Sequence, residues 1–260
     1  MTEALVDSFL ESLPASRERV LLLDYDGTIA PFTAHRDHAY PYPEARSLLA
    51  AIMNTCRTRI VMISGRPARE IPPLLGLEPH PEIWGTHGLE CLYPDGRYEM
   101  AEVSRRALRV LAQARAGLEE LGLMQVAEIK PGSISVHWRW LGSQREEEIR
   151  ASARRIWLPL TFQADLQLTE FDGGLELRVE RPNKGDVVRA IVAELEPDVP
   201  IAYLGDDITD EDAFRALQGR GLTVLVRSTE RPSCAQAWIQ PPGGLLDFLY
   251  GWMRACGGGR

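Results

Sequence analysis

Short, almost wholly apolar runs separated by helical patterns constrain this chain more than any other feature. Residues 20–23 read Val-Leu-Leu-Leu, and comparable runs recur at 59–63, 82–84, 200–204 and 223–226. A strand with no polar alternation is buried on both faces, and such strands belong to parallel sheets covered by helices. Between the runs, Ala45, Leu48, Leu49 and Ile52 follow Pro43 as one helical stripe, and Val187, Val188, Ile191 and Leu195 follow Lys184-Gly185 as another. The βαβ alternation predicts an α/β fold with a Rossmann-like parallel sheet. Residues 89–100, with Pro94-Asp95-Gly96 at their centre, read as a hairpin, and 245–253 as a closing helix.

The middle of the chain breaks this pattern. Val103, Ala107, Val110, Ala114, Leu118 and Leu121 recur at helical spacing over 102–121. Two strands are expected at 123–130 and 133–140, joined at Pro131-Gly132. In the second, Ile134, Val136, Trp138 and Trp140 alternate with Ser133, Ser135, His137 and Arg139, giving one apolar and one polar face. Ser143-Gln144-Arg145-Glu146 has the form of a capping box before a helix carrying Ile149, Ala153 and Ile156. A second hairpin turns at Asp172-Gly173-Gly174, with Leu175, Leu177 and Val179 opposite Glu176, Arg178 and Glu180. Helix-strand-strand occurring twice describes an α+β unit, and the distance from Ser64 to Lys184 far exceeds a βαβ unit of about 30 residues. The expected organisation is therefore a core over 1–101 and 179–260, with an inserted cap domain over 102–178.

With 260 residues, 45% hydrophobic and 25% charged, the chain can bury a sizeable core. A net charge of −8 weighs against nucleic-acid or anionic-membrane partners, so an anionic ligand needs local cations or a metal. Cys56, Cys91, Cys234 and Cys256 have neither CxxC spacing nor nearby histidines, which suits a reducing cytoplasm and suggests neither zinc nor a disulfide scaffold. Residues 1–13 carry Glu3, Asp7 and Glu11 among apolar side chains and read as an amphipathic helix rather than a signal peptide. No apolar run approaches the roughly 20 residues of a membrane span. A monomer is expected, and the only low-complexity stretch is Gly257-Gly258-Gly259.

Two of the buried runs end in acid: Asp24 and Asp26 after the first, Asp206 and Asp207 after the fourth. The carboxyl ends of parallel strands share one edge, where open α/β sheets bind ligands. Hard oxygen ligands gathered there suit Mg²⁺, and the spacing of an EF-hand is missing. Asp26-Gly27 alone could be a turn, and Thr209 as a cap with Asp210, Glu211 and Asp212 in the first turn would be favourable without function. Asp206 and Asp207 lie upstream of that expected cap. Ser64 at a helix start and Lys184 add a hydroxyl, amides and a point positive charge, which is what a phosphate needs.

Asp24-Tyr25-Asp26-Gly27-Thr28, Ser64-Gly65-Arg66, Lys184-Gly185 and Gly205-Asp206-Asp207 resemble, in order, the four motifs of the haloacid dehalogenase superfamily. Gly85-Thr86-His87-Gly88-Leu89-Glu90 and the run from Gly205 to Phe214 are similar to the trehalose-6-phosphate phosphatases of that superfamily. The resemblance spans nearly the whole chain and implies a Mg²⁺-dependent hydrolase of a sugar phosphate. It implies that Asp24 is the nucleophile, Asp26 the general acid and base, and Ser64 and Lys184 the phosphoryl-holding groups. It also implies a metal held by Asp24, the backbone carbonyl of Asp26 and Asp206, with Asp207 or Asp210 nearby.

For the sugar, the resemblance points to Gly65, Arg66, His87, Gly88 and Glu90 beside the core motifs. In the cap it points to Glu128, Lys130, His137, Arg139, Glu176 and Arg178. Alternation alone would make those cap residues a solvated polar face. Where relatives read Leu-Glu-Val-Arg-Pro, this chain has Leu175-Glu176-Leu177-Arg178-Val179-Glu180-Arg181-Pro182, which leaves the placement of Glu176 and Arg178 open. Trehalose 6-phosphate is the expected substrate. Sucrose phosphate or mannosyl-phosphoglycerate, and a non-catalytic sugar-phosphate-binding module, are the alternatives, and the intact motif residues weigh against the last.

Overall fold

The computed structural model describes residues 2–13, 18–33, 35–55 and 57–257, with side chains from residue 4 onward. Met1, Cys56 and Gly258-Gly259 of the sequence reading, and the side chain of Glu3, lie outside them. The chain divides into two compact units, residues 1–99 with 184–260, and residues 100–183.

The first unit is built on a sheet whose strands are β1 (Arg19–Leu23), β2 (Thr58–Ile63), β3 (Glu82–Gly85), β4 (Glu90–Leu92), β5 (Tyr98–Met100), β10 (Ile201–Gly205), β11 (Leu222–Val226) and β12 (Ala237–Ile239). Their spatial order is β12-β11-β10-β1-β2-β3-β4-β5. All pairings from β12 through β3 are parallel, and β4 runs antiparallel to β3. The order reverses direction at β1, the switch point where such sheets open a ligand crevice. The hairpin expected at 89–100 therefore extends this sheet, and the three-residue β12 adds an edge that the sequence pattern does not signal.

Successive side chains of a strand point to opposite faces, so β1 feeds two cores. Leu21 and Leu23 join Leu49, Ile52, Leu249 and Trp252 on one face, from α2 (Pro43–Thr55) and α8 (Gly243–Ala255). Val20 and Leu22 join Val187, Val188, Ile191 and Phe214 on the other, from α6 (Lys184–Ala193) and α7 (Glu211–Leu217). α1 (Thr2–Ser12) and α3 (Ile71–Leu75) complete the unit. No helix among the described residues is long and apolar enough to cross a membrane.

The second unit is a four-stranded antiparallel sheet, β6 (Ala127–Lys130), β7 (Ser133–His137), β8 (Leu166–Phe171) and β9 (Gly174–Val179), in the order β6-β7-β9-β8. It carries α4 (Arg105–Glu120) and α5 (Ser143–Trp157), packed through Val110, Leu118, Val136, Ile149, Trp157 and Leu177. Three local expectations need correcting. The strand expected at 123–130 begins only at Ala127, because 124–126 form a 3-10 turn. β7 stops at His137, and Trp140, beyond it, is 61% exposed rather than part of the apolar face. Ser143 lies inside α5, whose cap is Gly142 with no side-chain cap bond, and Glu146 pairs forward with Arg150 at 2.5 Å instead of completing a box.

Candidate active site

β1 and β10 are neighbours in register, with Leu23 opposite Leu204, so their next residues emerge together at the carboxyl edge. The N–H of Asp24 donates to the Leu204 carbonyl at 2.9 Å, carrying the pairing one step past the strand. The backbone thereby sets where Asp24 leaves the sheet, and Asp206 follows the last residue of β10. α6 begins at Lys184, and its ammonium donates to Asp24 Oδ1 and to Asp210 Oδ1, both at 2.7 Å. All four of these residues are buried.

Asp210 is a hub. Besides Lys184, it accepts from the Tyr203 hydroxyl at 2.6 Å and from the N–H groups of Asp206 and Asp207 at 3.1 and 2.9 Å. The cap of the following turn is Asp207, not Thr209: its carboxylate accepts from the Ile208 N–H, and Asp210 answers as the other half of a capping box. Part of the Asp207 carboxylate is thus spent on backbone. Glu211, expected to be a simple helix-start charge, is buried and gathers Arg231, the Ser233 hydroxyl and the Cys234 N–H, which hold its carboxyl below the usual range.

Asp24, Asp206 and Asp210 each offer a carboxylate oxygen within 4.8 Å of the others. Both oxygens of Asp206 are buried and accept no hydrogen bond among the described residues; the Arg227 guanidinium is 3.9 Å away. Buried unpaired carboxylates are costly and call for a cation. Burial raises the Asp24 carboxyl to about 7 against the opposing pull of Lys184. Burial, reinforced by Asp24, also pushes Asp206 well above its ordinary value. Gly27, at φ +78°, brings the backbone against this carboxylate, since a Cβ there would lie 2.2 Å from Asp206 Oδ2. The donor set therefore fits a hard divalent cation, with Asp24 and Asp206 the better candidates because Asp210 is already engaged four times.

Ser64 follows β2 with its N–H on the Trp84 carbonyl at 2.8 Å, and its hydroxyl accepts from the Arg66 N–H at 3.2 Å. The Arg66 side chain runs to Asp26, with Nε to Oδ2 at 2.6 Å and Nη2 to Oδ1 at 2.7 Å. The next loop crosses over this segment. Thr86 and His87 stand at φ +47° and +57°, a left-handed pair outside glycine, held by Thr86 N–H on the Arg66 carbonyl and His87 N–H on the Ser64 carbonyl. The His87 ring lies so close to Gly65 that a Cβ there would sit 2.7 Å from it. Glu90, buried, is occupied by the Thr86 hydroxyl at 2.5 Å and the Ala68 N–H at 3.0 Å, and Gly88 is the glycine between them.

In the second unit, the register aligns Glu128, Ser135 and Glu176 in one row across β6, β7 and β9, and Lys130, Ser133 and Arg178 in the next row of the same face. Lys130 meets Glu176 at 2.9 Å, Ser133 donates to the same carboxylate at 2.9 Å, and His137 Nε2 lies 3.0 Å from Glu128. Arg139, past the end of β7, donates to the Asp172 carbonyl of the β8–β9 turn. Ser133, Ser135, Glu176 and Arg178 are buried, so this polar face is not the solvated one that alternation suggests. Two groups escaped the sequence reading: Tyr203, whose hydroxyl hides in an apolar run, and Asp210 as the partner of Lys184 rather than a helix-start charge.

A parallel sheet whose switch-point strand ends in a buried, lysine-paired aspartate, with a second acidic strand end beside it, is a fold of the haloacid dehalogenase-like type. A haloacid dehalogenase-like hydrolase from Bacillus subtilis superposes with a TM-score of 0.61 at 15% identity, over 89% of this chain and 99% of its own. The chain belongs to the trehalose-phosphatase family, whose model matches residues 22–237. The C-terminal domain of Candida albicans trehalose-6-phosphate phosphatase superposes with a TM-score of 0.80 at 20% identity, over 97% of this chain and 96% of that one. A trehalose-phosphate phosphatase of Mycobacterium marinum is 33% identical over 246 residues, covering 88% of this chain. The chain spans about 60% of the length of the curated relatives it matches.

Proposed function

We propose that this chain hydrolyses trehalose 6-phosphate to trehalose and phosphate. The observation that carries the reading is the 2.7 Å pairing of Asp24 with Lys184 beside an Asp206 carboxylate that accepts no hydrogen bond among the described residues, in a chain of this family. Lys184 holds Asp24 with one oxygen engaged and the other available, and offsets the repulsion between that carboxylate and an incoming phosphoryl group. Ser64 and Lys184 hold the phosphoryl oxygens. Asp24 attacks phosphorus, the bond from phosphorus to the sugar oxygen breaks, and that oxygen takes its proton from the Asp26 carboxyl. Asp26, now a carboxylate, then removes a proton from water as the water oxygen bonds to phosphorus and releases Asp24.

Asp24 and Asp206, with the Asp26 backbone carbonyl and Asp207 or Asp210 nearby, would hold Mg²⁺. When bound, the ion supplies charge neutralisation for nucleophile and phosphoryl group together. The proposed sugar contacts are Gly65, His87, Gly88 and Glu90 in the first unit, and Glu128, Lys130, His137, Arg139, Glu176 and Arg178 in the second. The clustering of Glu128, Lys130, His137, Glu176 and Arg178 on one sheet face supports a shared role. A panel of sugar phosphates assayed for phosphate release with Mg²⁺ and with chelator tests the reading. Release from trehalose 6-phosphate alone, abolished by chelator, is expected; equal release from sucrose phosphate would overturn the substrate, and no release at all would overturn the enzyme.

A further inference from the structure

We infer that Arg66 is a positioning residue for Asp26, aiming the carboxylate that handles the proton, and does not itself bind the sugar. The inference rests on the role of Asp26 proposed above. Arg66 and Asp26 form a two-point fork, 2.6 Å and 2.7 Å, in which the plane of the guanidinium sets the plane of the carboxylate. The guanidinium is fixed in turn. Its Nη1 donates to the Arg36 carbonyl at 3.1 Å, its face lies over the Tyr25 ring at 5.6 Å, and Tyr25 is tied by its hydroxyl to the Ala39 carbonyl. The Arg66 backbone donates to the Ser64 hydroxyl and accepts from Thr86, so the residue that aims Asp26 also belongs to the segment that carries Ser64.

Exposure separates this role from ligand contact. The Arg66 side chain is 6% exposed and the Asp26 side chain 30%, so the pair presents its carboxylate outward and keeps its guanidinium behind. Asp26 lies within the turn that the Ala30 N–H closes on the Tyr25 carbonyl and the Gly27 N–H on the Ala30 carbonyl, and among the described residues no side chain other than Arg66 donates to it. Without the fork, the carboxylate is free to rotate about its side-chain bonds. Lysine keeps the charge but not the fork, because an ammonium is a point donor without a fixed plane.

The test compares leaving groups. An alkoxide needs a proton as it departs, whereas p-nitrophenolate leaves with little help, so in the transfer of phosphorus to Asp24, measured in a single turnover ahead of the water step that both esters share, a defect in aiming Asp26 falls on the first. Arg66→Gln and Arg66→Lys are measured with trehalose 6-phosphate and with p-nitrophenyl phosphate, alone and combined with Asp26→Asn, with circular dichroism as the folding control. That single-turnover rate for trehalose 6-phosphate should fall roughly 10²-fold, the scale of a misplaced catalytic group. The loss with the aryl ester should be at least tenfold smaller, KM should change little, lysine should fail to rescue, and Arg66→Gln should add little to Asp26→Asn. Equal losses on both esters, a defect confined to KM, rescue by lysine or additivity with Asp26→Asn would each overturn the inference. If one variant misfolds, the other carries the comparison. Wild-type protein inert to trehalose 6-phosphate but active on another primary alkyl phosphate would sink the substrate reading alone, and that ester would then serve as the alkyl arm. Inertness to every ester would sink both.

Discussion

Asp206 is the residue at which folding and chemistry pull in opposite directions. Its two oxygens are buried without a hydrogen bond among the described residues, and burial together with Asp24 disfavours its charge. An unsatisfied buried group costs about 1–3 kcal/mol, more when charged. Asp206→Asn should therefore stabilise the protein in chelator by about that amount, while abolishing any rise in melting temperature on adding Mg²⁺. Calorimetric melts with and without the ion would check both halves; a variant less stable than wild type in chelator would refute the account. Gly27 acts on the same carboxylate. At φ +78° an alanine carries the left-handed penalty of about 1–2 kcal/mol. Its methyl would also meet Asp206 and the Phe32 ring at 2.2–2.7 Å. Gly27→Ala should lower both stability and cation affinity, the second measured by titration calorimetry. Asp24→Asn should abolish turnover and Asp26→Asn should cost roughly 10²- to 10⁴-fold, as loss of general acid catalysis does.

At the scale of elements, the site depends on the last residues of β1 and β10 and on the first of α6. Tyr203, the middle residue of β10, packs its ring edge-on to Phe214 and reaches Asp210 with its hydroxyl at 2.6 Å. Tyr203→Phe keeps the packing and removes one of four donors on Asp210, so chemical denaturation should show a loss of about 1–2 kcal/mol. A loss beyond about 4 kcal/mol would mean that the hub fails as a unit. These elements were legible because apolar runs and helical stripes carry their own period, and the acids at the strand ends break it. Trp140, Ser143 and β12 were not. Trp140 continues the alternation of β7 past the residue where pairing stops, and Ser143 fits a capping motif that a glycine one residue earlier pre-empts. β12 is three residues long, too short for any period. Within the site, the pairing of Arg66 with Asp26 and the occupation of Glu90 by Thr86 and Ala68 depend on where loops cross, and spacing along the chain does not encode that.

Across the whole molecule, the acidic cluster links stability to pH and to the proposed ion. Asp24, Asp206 and Asp210 face one ammonium, that of Lys184, and burial raises Asp24 from 3.8 to about 7 and Asp206 in the same direction. In this interval the folded chain retains a proton that the unfolded chain has lost. Stability therefore falls as pH rises from about 4 to about 7, the reverse of an ordinary salt-bridged carboxylate. A divalent cation binds the deprotonated folded form, so binding expels that proton and restores stability, by about 2.7 kcal/mol at a hundredfold excess over the dissociation constant. In chelator the melting temperature should decline between pH 5 and pH 8 by more than in saturating Mg²⁺. Titration calorimetry in buffers of different ionisation enthalpy should find more protons released per ion at pH 6 than at pH 8. Equal release at both values, or a melting temperature in chelator that climbs across the interval, would show that the buried aspartates are already charged before the ion arrives.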